Sequence, residues 1–193
     1  MNRRERQLIE RRSEILAAAL ALFEEKGFTD TSMEEIATRA DVARATLYNH
    51  FASKGEVVLA LATSIAEQWL AKAHAKLDKT GSPCAAIREI LIGAADWFDS
   101  HPDSAGSFFY AMREIMTQST HESPPPTLIP LEWVAAAQKQ GELTSELPAP
   151  MLMHLLETVL RHHMIEHVRG KARGKLAPVV RKHLDALIAR LSP

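Results

Sequence analysis

Apolar positions recur every three or four residues along nearly the whole chain, which is the helical period. No run of four or more strictly alternating residues sits between turn signals, so no strand is predicted. Over about 10–26, Ile15, Ala19 and Leu22 form one row with Leu16, Leu20 and Phe23 beside it, giving a helix with one apolar face. Gly27 then suits a left-handed helix ending, after which Phe28 can fold back onto Phe23. Thr31 to Glu34 reads as a capping box that opens a second helix running to about Ala40, with Met33, Ile36, Ala37 and Ala40 turned inward. Asp41-Val42 turns the chain, a short helix follows from about Arg44 to Phe51, and Ser53 to Glu56 forms a second capping box. A long helix starts there and runs to about Asp78.

Lys79 to Pro83 is a break, and Pro83 fits the first turn of a helix that ends at His101-Pro102. A further helix is expected over about 103–117, then a polar, proline-rich loop over 118–126. Helices at about 128–140, 149–169 and 177–191 complete an all-α chain with no internal repeat. The expected division is a three-helix head, 1–53, followed by a larger helical bundle, 54–193.

Composition narrows the function. With 193 residues and 46% hydrophobic content the chain can bury a substantial core. A formal net charge of −1 means that any nucleic-acid contact must come from a local patch. The single cysteine, Cys84, excludes a disulfide framework and fits a reducing compartment. The basic N-terminus is not followed by an apolar core and cleavage site in signal-peptide order. No apolar run approaches the ~18–20 residues needed to cross a bilayer. A soluble, cytoplasmic protein with no membrane partner is expected.

The local patch lies on the third helix. Leu47 and Phe51 are four apart and share a face with Val42, so these three belong to the core. The outward arc then holds Ala45, Thr46, Tyr48 and Asn49, with Arg44 at the helix start and His50 and Lys54 after it. No carboxylate lies between Arg44 and Lys54. Cations and hydroxyls suit phosphates, while Arg and Asn offer paired hydrogen bonds to guanine and adenine edges in the major groove. A short helix set at an angle by the helix before it is the helix-turn-helix device. Taken singly, Tyr48 is as readily a surface aromatic and Lys54 a solvated charge; the combination points to DNA.

The segment GFTDTSMEEIATRADVARATLYNHFASKGE, residues 27–56, resembles the DNA-binding head of the TetR/AcrR family of transcriptional regulators. The resemblance rests on Gly27-Phe28, Thr31, Ile36-Ala37, Val42, Thr46-Leu47-Tyr48, His50-Phe51 and Lys54. It implies phosphate or sugar contacts from Tyr48, His50 and Lys54, and base or adjoining backbone contacts from Arg44, Ala45, Thr46 and Asn49. It also implies that Thr31 and Ser32 open a helix whose amides receive a phosphate. Two positions depart from the family pattern: Asp41 stands where the corner usually has Gly, and Ala43 where the third helix often has a Ser or Thr cap. Residues 1–12 add five arginines against two acids, an arm that either enters a minor groove or is a solvated terminus.

Beyond the head, the resemblance implies an effector-binding bundle that forms a homodimer through its last two helices. The chain supplies its own reason, since one short helix covers few base pairs and a two-fold partner reads a second half-site about 34–36 Å or more away. Leu152, Leu155, Leu156, Val159 and Leu160 on one helix, and Leu184, Leu187, Ile188 and Leu191 on the last, are the candidate seam. Trp97, Phe109, Met112, Met116 and Trp133 are the candidate lining for an apolar or aromatic effector, although such side chains also build helical cores. The rival function uses the histidine-rich helix His154–His167, where His163 and His167 stand at i, i+4. That spacing can chelate a divalent metal, as in an all-helical metal-binding sensor or enzyme. It lacks the H-E-x-x-H glutamate. No nucleophile–base pair or phosphate-cradling glycine loop is present, so neither catalysis nor a cofactor is expected. The resulting expectation is a transcriptional regulator, released as a repressor from a palindromic operator by a small-molecule effector.

Overall fold

A computed structural model describes residues 2–102, 127–170 and 174–193. The expected helix at 103–117 and the proline-rich loop at 118–126 lie outside the described residues. Eight helices and no strand are described: α1 (Arg3–Asp30), α2 (Met33–Arg39), α3 (Arg44–His50), α4 (Lys54–Thr80), α5 (Pro83–Ser100), α6 (Leu131–Lys139), α7 (Ala149–Val168) and α8 (Leu176–Leu191). They fall into two compact units, one containing the described residues up to Ile65 and the other Ala66–Ser100 with the described residues from 127 onward.

In the first unit the buried faces of α1, α2, α3 and the start of α4 converge. Ile15, Ala19, Leu22 and Phe23 meet Ile36 and Ala37, Leu47 and Phe51, and Val57, Val58 and Leu61 in one cluster, with Val42 packed against it. The expected core trio Val42, Leu47 and Phe51 therefore stands. Leu47 is fully buried, and truncating it to Ala would cost about 2–5 kcal/mol.

Three local features differ from expectation in register. The first helix begins at Arg3, well before residue 10, because Asn2 caps it: the Asn2 side chain accepts from the Glu5 amide at 2.9 Å while the Glu5 carboxylate accepts from the Asn2 amide. The basic arm is thus helical. The helix also continues past Gly27 as a kink, with φ 84° and ψ 164° at that glycine, and Phe28 does return to Phe23 with ring centroids 5.5 Å apart. The capping box of the second helix is Ser32/Glu35, one residue later than Thr31/Glu34. Thr31 is instead buried, its hydroxyl donating to the Gly27 carbonyl at 2.8 Å.

The second unit is a helical bundle. Ile87, Ile90, Leu91 and Phe98 of α5 lie in its core with Trp133 and Val134 of α6, Leu152, Leu156 and Leu160 of α7, and Val180 and Leu184 of α8. Buried or half-buried carboxylates tie its segments by capping free amides, which would otherwise be costly orphans. Asp99 at the end of α5 accepts from the amides of Leu176 and Ala177, at 2.6 and 2.9 Å, and so caps α8. Glu157 accepts from the amides of Leu128 and Ile129 at 2.6 and 3.0 Å, holding the chain that leads into α6. Glu142 accepts from the Cys84 amide at 2.8 Å. The Cys84 thiol is pushed up to about 12 by burial and by Glu142, so it stays protonated.

Candidate nucleic-acid interface

Two ion pairs seat α2 on α1. The Arg39 guanidinium donates to both Glu25 carboxylate oxygens, at 2.8 and 2.6 Å, in the paired geometry that makes arginine a directional tie. Lys26 donates to Glu35, which also accepts from the amide and the hydroxyl of Ser32 at 2.8 and 2.7 Å. The Lys26 ammonium and the Ser32 donors hold the Glu35 carboxyl down at about 2. Ser32, expected to lie under a phosphate, thus already serves as the cap of α2 and has its donors turned to Glu35.

The corner between α2 and α3 is left-handed at Asp41, with φ 50°, as expected for a position where a residue other than glycine must tolerate that region. The Val42 amide donates back to the Ala37 carbonyl at 3.0 Å. Ala43 sits in the N-cap position of α3 with extended backbone and no side-chain cap. The helix is therefore oriented from below by Leu47 and Phe51 rather than from its end.

With that face buried, the opposite face is determined. Arg44, Ala45, Tyr48 and Asn49 are exposed, and Thr46 and His50 are half-buried beside them. The structure brings together on one surface the residues picked out for base and backbone contact. The Arg44 guanidinium lies 5.4 Å from the centre of the Tyr48 ring, a cation–π arrangement that keeps both side chains along the helix. His50 borders a recess with Arg12, Phe51, Glu56, Leu59, Ala60 and Thr63, and the Arg12 guanidinium covers the Phe51 ring at 4.4 Å. Arg12 thus joins the basic surface from α1, a placement that its position in a charge-rich arm does not announce.

Besides Ser32, two expected contact residues are placed otherwise. Thr31 is buried, as described above. Lys54 has its ammonium enclosed: it donates to the carbonyls of Phe28, Thr29 and Thr31, at 2.6, 3.1 and 2.7 Å, and lies 4.4 Å above the Phe28 ring. An ammonium has three hydrogens, and all three are spent. Burial holds its pKa below the ordinary lysine value. Lys54 therefore acts as a strut between the start of α4 and the α1–α2 connection. Glu34, expected in the capping box of the second helix, instead turns to α3: its Oε1 lies 2.8 Å from Arg44 Nη2, so the surface around α3 is not free of acid.

In the second unit, Trp97 is half-buried beside Phe98, with ring centroids 5.6 Å apart. Trp133 is 5% exposed and packs edge-on against His74 at 4.8 Å, so it is core material. Phe109, Met112 and Met116 lie outside the described residues. The His163 ring is paired with His183 of α8, Nε2 to Nδ1 at 2.7 Å, and not with His167. Among the described residues no group of three or more His, Cys, Asp or Glu is placed to hold a metal ion. Among them, too, no helix is long and apolar enough to cross a membrane.

Residues 15–61 match the family of bacterial regulatory proteins, tetR family. The transcriptional repressor KstR2 of Mycobacterium tuberculosis is 31% identical over 101 residues, covering 52% of this chain and 50% of that protein. The transcriptional activator FasR of Mycolicibacterium smegmatis is 46% identical over 52 residues, or 27% of this chain and 24% of its own. The chain thus spans half or less of the length of these curated relatives. Among solved structures, the TetR-family repressor FadR of Thermus thermophilus in complex with lauroyl-CoA superimposes with a TM-score of 0.65 at 22% identity, covering 92% of this chain and 93% of that one. That likeness extends the shared fold over nearly the whole chain.

Proposed function

We propose, for a chain whose residues 15–61 match the tetR family of bacterial regulatory proteins, a homodimeric transcriptional regulator of that family that binds a roughly palindromic DNA operator and responds to a small molecule. One observation carries the reading. Burial of Leu47 and Phe51 leaves Arg44, Ala45, Tyr48 and Asn49 outward on a seven-residue helix whose angle is set by α2. Arg and Asn on such a helix are the side chains that read guanine and adenine edges, and Tyr48 and His50 flank them for backbone contact.

The dimer forms through α7 and α8. In the single chain Met151 and Val179 are 51% and 38% exposed, and Leu155, Val159, Leu187 and Ile188 are only half-buried. A two-fold partner would bury these apolar groups and double the DNA footprint. The effector is an apolar or aromatic small molecule taken up by the bundle; the FadR neighbour was solved with lauroyl-CoA. The effector favours one bundle geometry over another and thereby changes the spacing of the two heads. It can weaken DNA binding only by its differential affinity for the two geometries, typically about 1–3 kcal/mol. Repression relieved by the effector is the expected output.

Selection from a random pool of duplex DNA by the purified protein at near-physiological salt tests this. Enrichment of one inverted repeat supports both the reading head and the dimer. A pool with no enriched sequence would sink the proposal.

A further inference from the structure

The one-residue slip of the α2 capping box has a consequence for DNA reading. With Glu35 committed to Ser32 and Lys26, and Glu25 to Arg39, Glu34 contributes no carboxylate to the capping box of its own helix. Its carboxylate crosses to α3 and pairs with Arg44 at 2.8 Å. Both side chains stay exposed, at 68% for Arg44 and 49% for Glu34, so the pair adds little to stability. Its position is what matters, because it sits beside the one arginine of the outward arc.

We propose that Glu34 is a specificity-determining residue: it neutralises Arg44 toward phosphate while leaving the rest of the guanidinium fork free for a base edge. This rests on the DNA-reading function proposed above. A guanidinium has five donors, and the carboxylate takes one side, at Nη2. The Tyr48 ring lines the guanidinium face at 5.4 Å and limits its wandering. A phosphate approaching Arg44 would meet the full negative charge of Glu34 beside it. A guanine edge presents neutral acceptors, O6 and N7, and meets no such repulsion. An arginine whose charge is already met by a carboxylate neutralises no phosphate and so releases none of the counterions condensed on the DNA, adding nothing to the salt-dependent, sequence-blind part of the affinity. Glu34 therefore makes Arg44 contribute to the correct site and not to DNA in general.

The test compares the full chain with Glu34→Gln, Arg44→Gln and the double variant. Binding is followed by fluorescence anisotropy on the selected duplex and on a scrambled duplex between about 50 and 200 mM salt. Glu34→Gln should bind the scrambled duplex more tightly, with a log–log salt slope steeper by about 0.9, so that this affinity falls roughly 3.5-fold more than wild type across that range. The ratio of selected to scrambled affinity should drop, and the extra slope should vanish in the double variant. An unchanged slope and ratio in Glu34→Gln, or a gain that survives removal of Arg44, overturns the role of Glu34. A uniform loss on both duplexes overturns it too, since that marks a tie that merely orients α3; Glu34→Ala repeats the comparison without the amide. If wild type prefers no duplex, the DNA-reading function itself fails, and the role of Glu34 fails with it.

Discussion

The Lys54 ammonium lies 4.4 Å above the Phe28 ring and donates to the Phe28 carbonyl at 2.6 Å, with two more carbonyls completing its shell. The side chain that begins α4 thus closes the connection between α1 and α2. A cation so enclosed is matched by few isosteric replacements, and its loss strands three carbonyls.

Lys54→Met should therefore act on stability before it acts on DNA. Removing a charged donor from three carbonyls is expected to lower head stability by about 1–3 kcal/mol, read by urea unfolding. The salt slope of DNA binding should remain close to wild type, because this ammonium is not available to a phosphate. A slope reduced by about 0.9 would instead place Lys54 on the DNA backbone.

Ala43→Ser should stabilise the recognition helix. Ala43 has the extended backbone of an N-cap, φ −63° and ψ 144°, but supplies no side-chain acceptor to the first-turn amides. A serine oxygen there is worth about 1 kcal/mol, measurable as slower amide exchange in α3 and a raised unfolding midpoint.

Glu35 makes the head acid-sensitive. Its carboxyl is held at about 2, against an ordinary value of 4.5, by Lys26 and Ser32. A folded value below the unfolded one means that the stabilisation is fully present above pH 4.5 and is lost as pH falls toward 2. Glu35→Gln should flatten that part of the stability–pH curve, followed by the urea midpoint between the two limits.

The His163–His183 pair makes the second unit sensitive near neutrality. Burial and the neighbouring rings of His183 and His162 lower the pKa of His163 below the ordinary 6.5. The unfolded chain then binds more protons in that window, so stability rises with pH up to about 6.5 and declines below it. Arg161 and Glu166 on α7, and Arg181, Lys182 and Asp185 on α8, are the charged side chains nearest in sequence to the pair and set the background. His163→Gln should remove most of the slope in thermal melts between about pH 5 and 7. A slope unchanged in that variant would assign it to other histidines.

The local grammar of the head was legible in the chain. The 3.6-residue period picked out Leu47, Phe51 and Val42 as core, and hence Arg44, Ala45, Tyr48 and Asn49 as the outward face. Gly27 and Asp41 marked the two positions that need positive φ. Each of these depends on neighbours a few residues away, where spacing alone decides what can meet. The capping box was legible as a type but not in register, since Thr-Ser and Glu-Glu offer two alignments one residue apart. Packing resolved it: burying the Thr31 hydroxyl against the Gly27 carbonyl leaves only Ser32 to cap.

The contacts that give the charged groups their tasks lie at longer range. Lys54 meets Thr31 across 23 positions, and His163 meets His183 across 20. Glu34 reaches Arg44 around the corner between two helices. Hydrophobic period specifies which face of a helix is buried, but a long flexible cation or carboxylate is bound by whatever the fold brings within about 3 Å of it. The apolar pattern of this sequence determined the helices and the face that reads outward; only the tertiary structure decided which of its charges remain free to read.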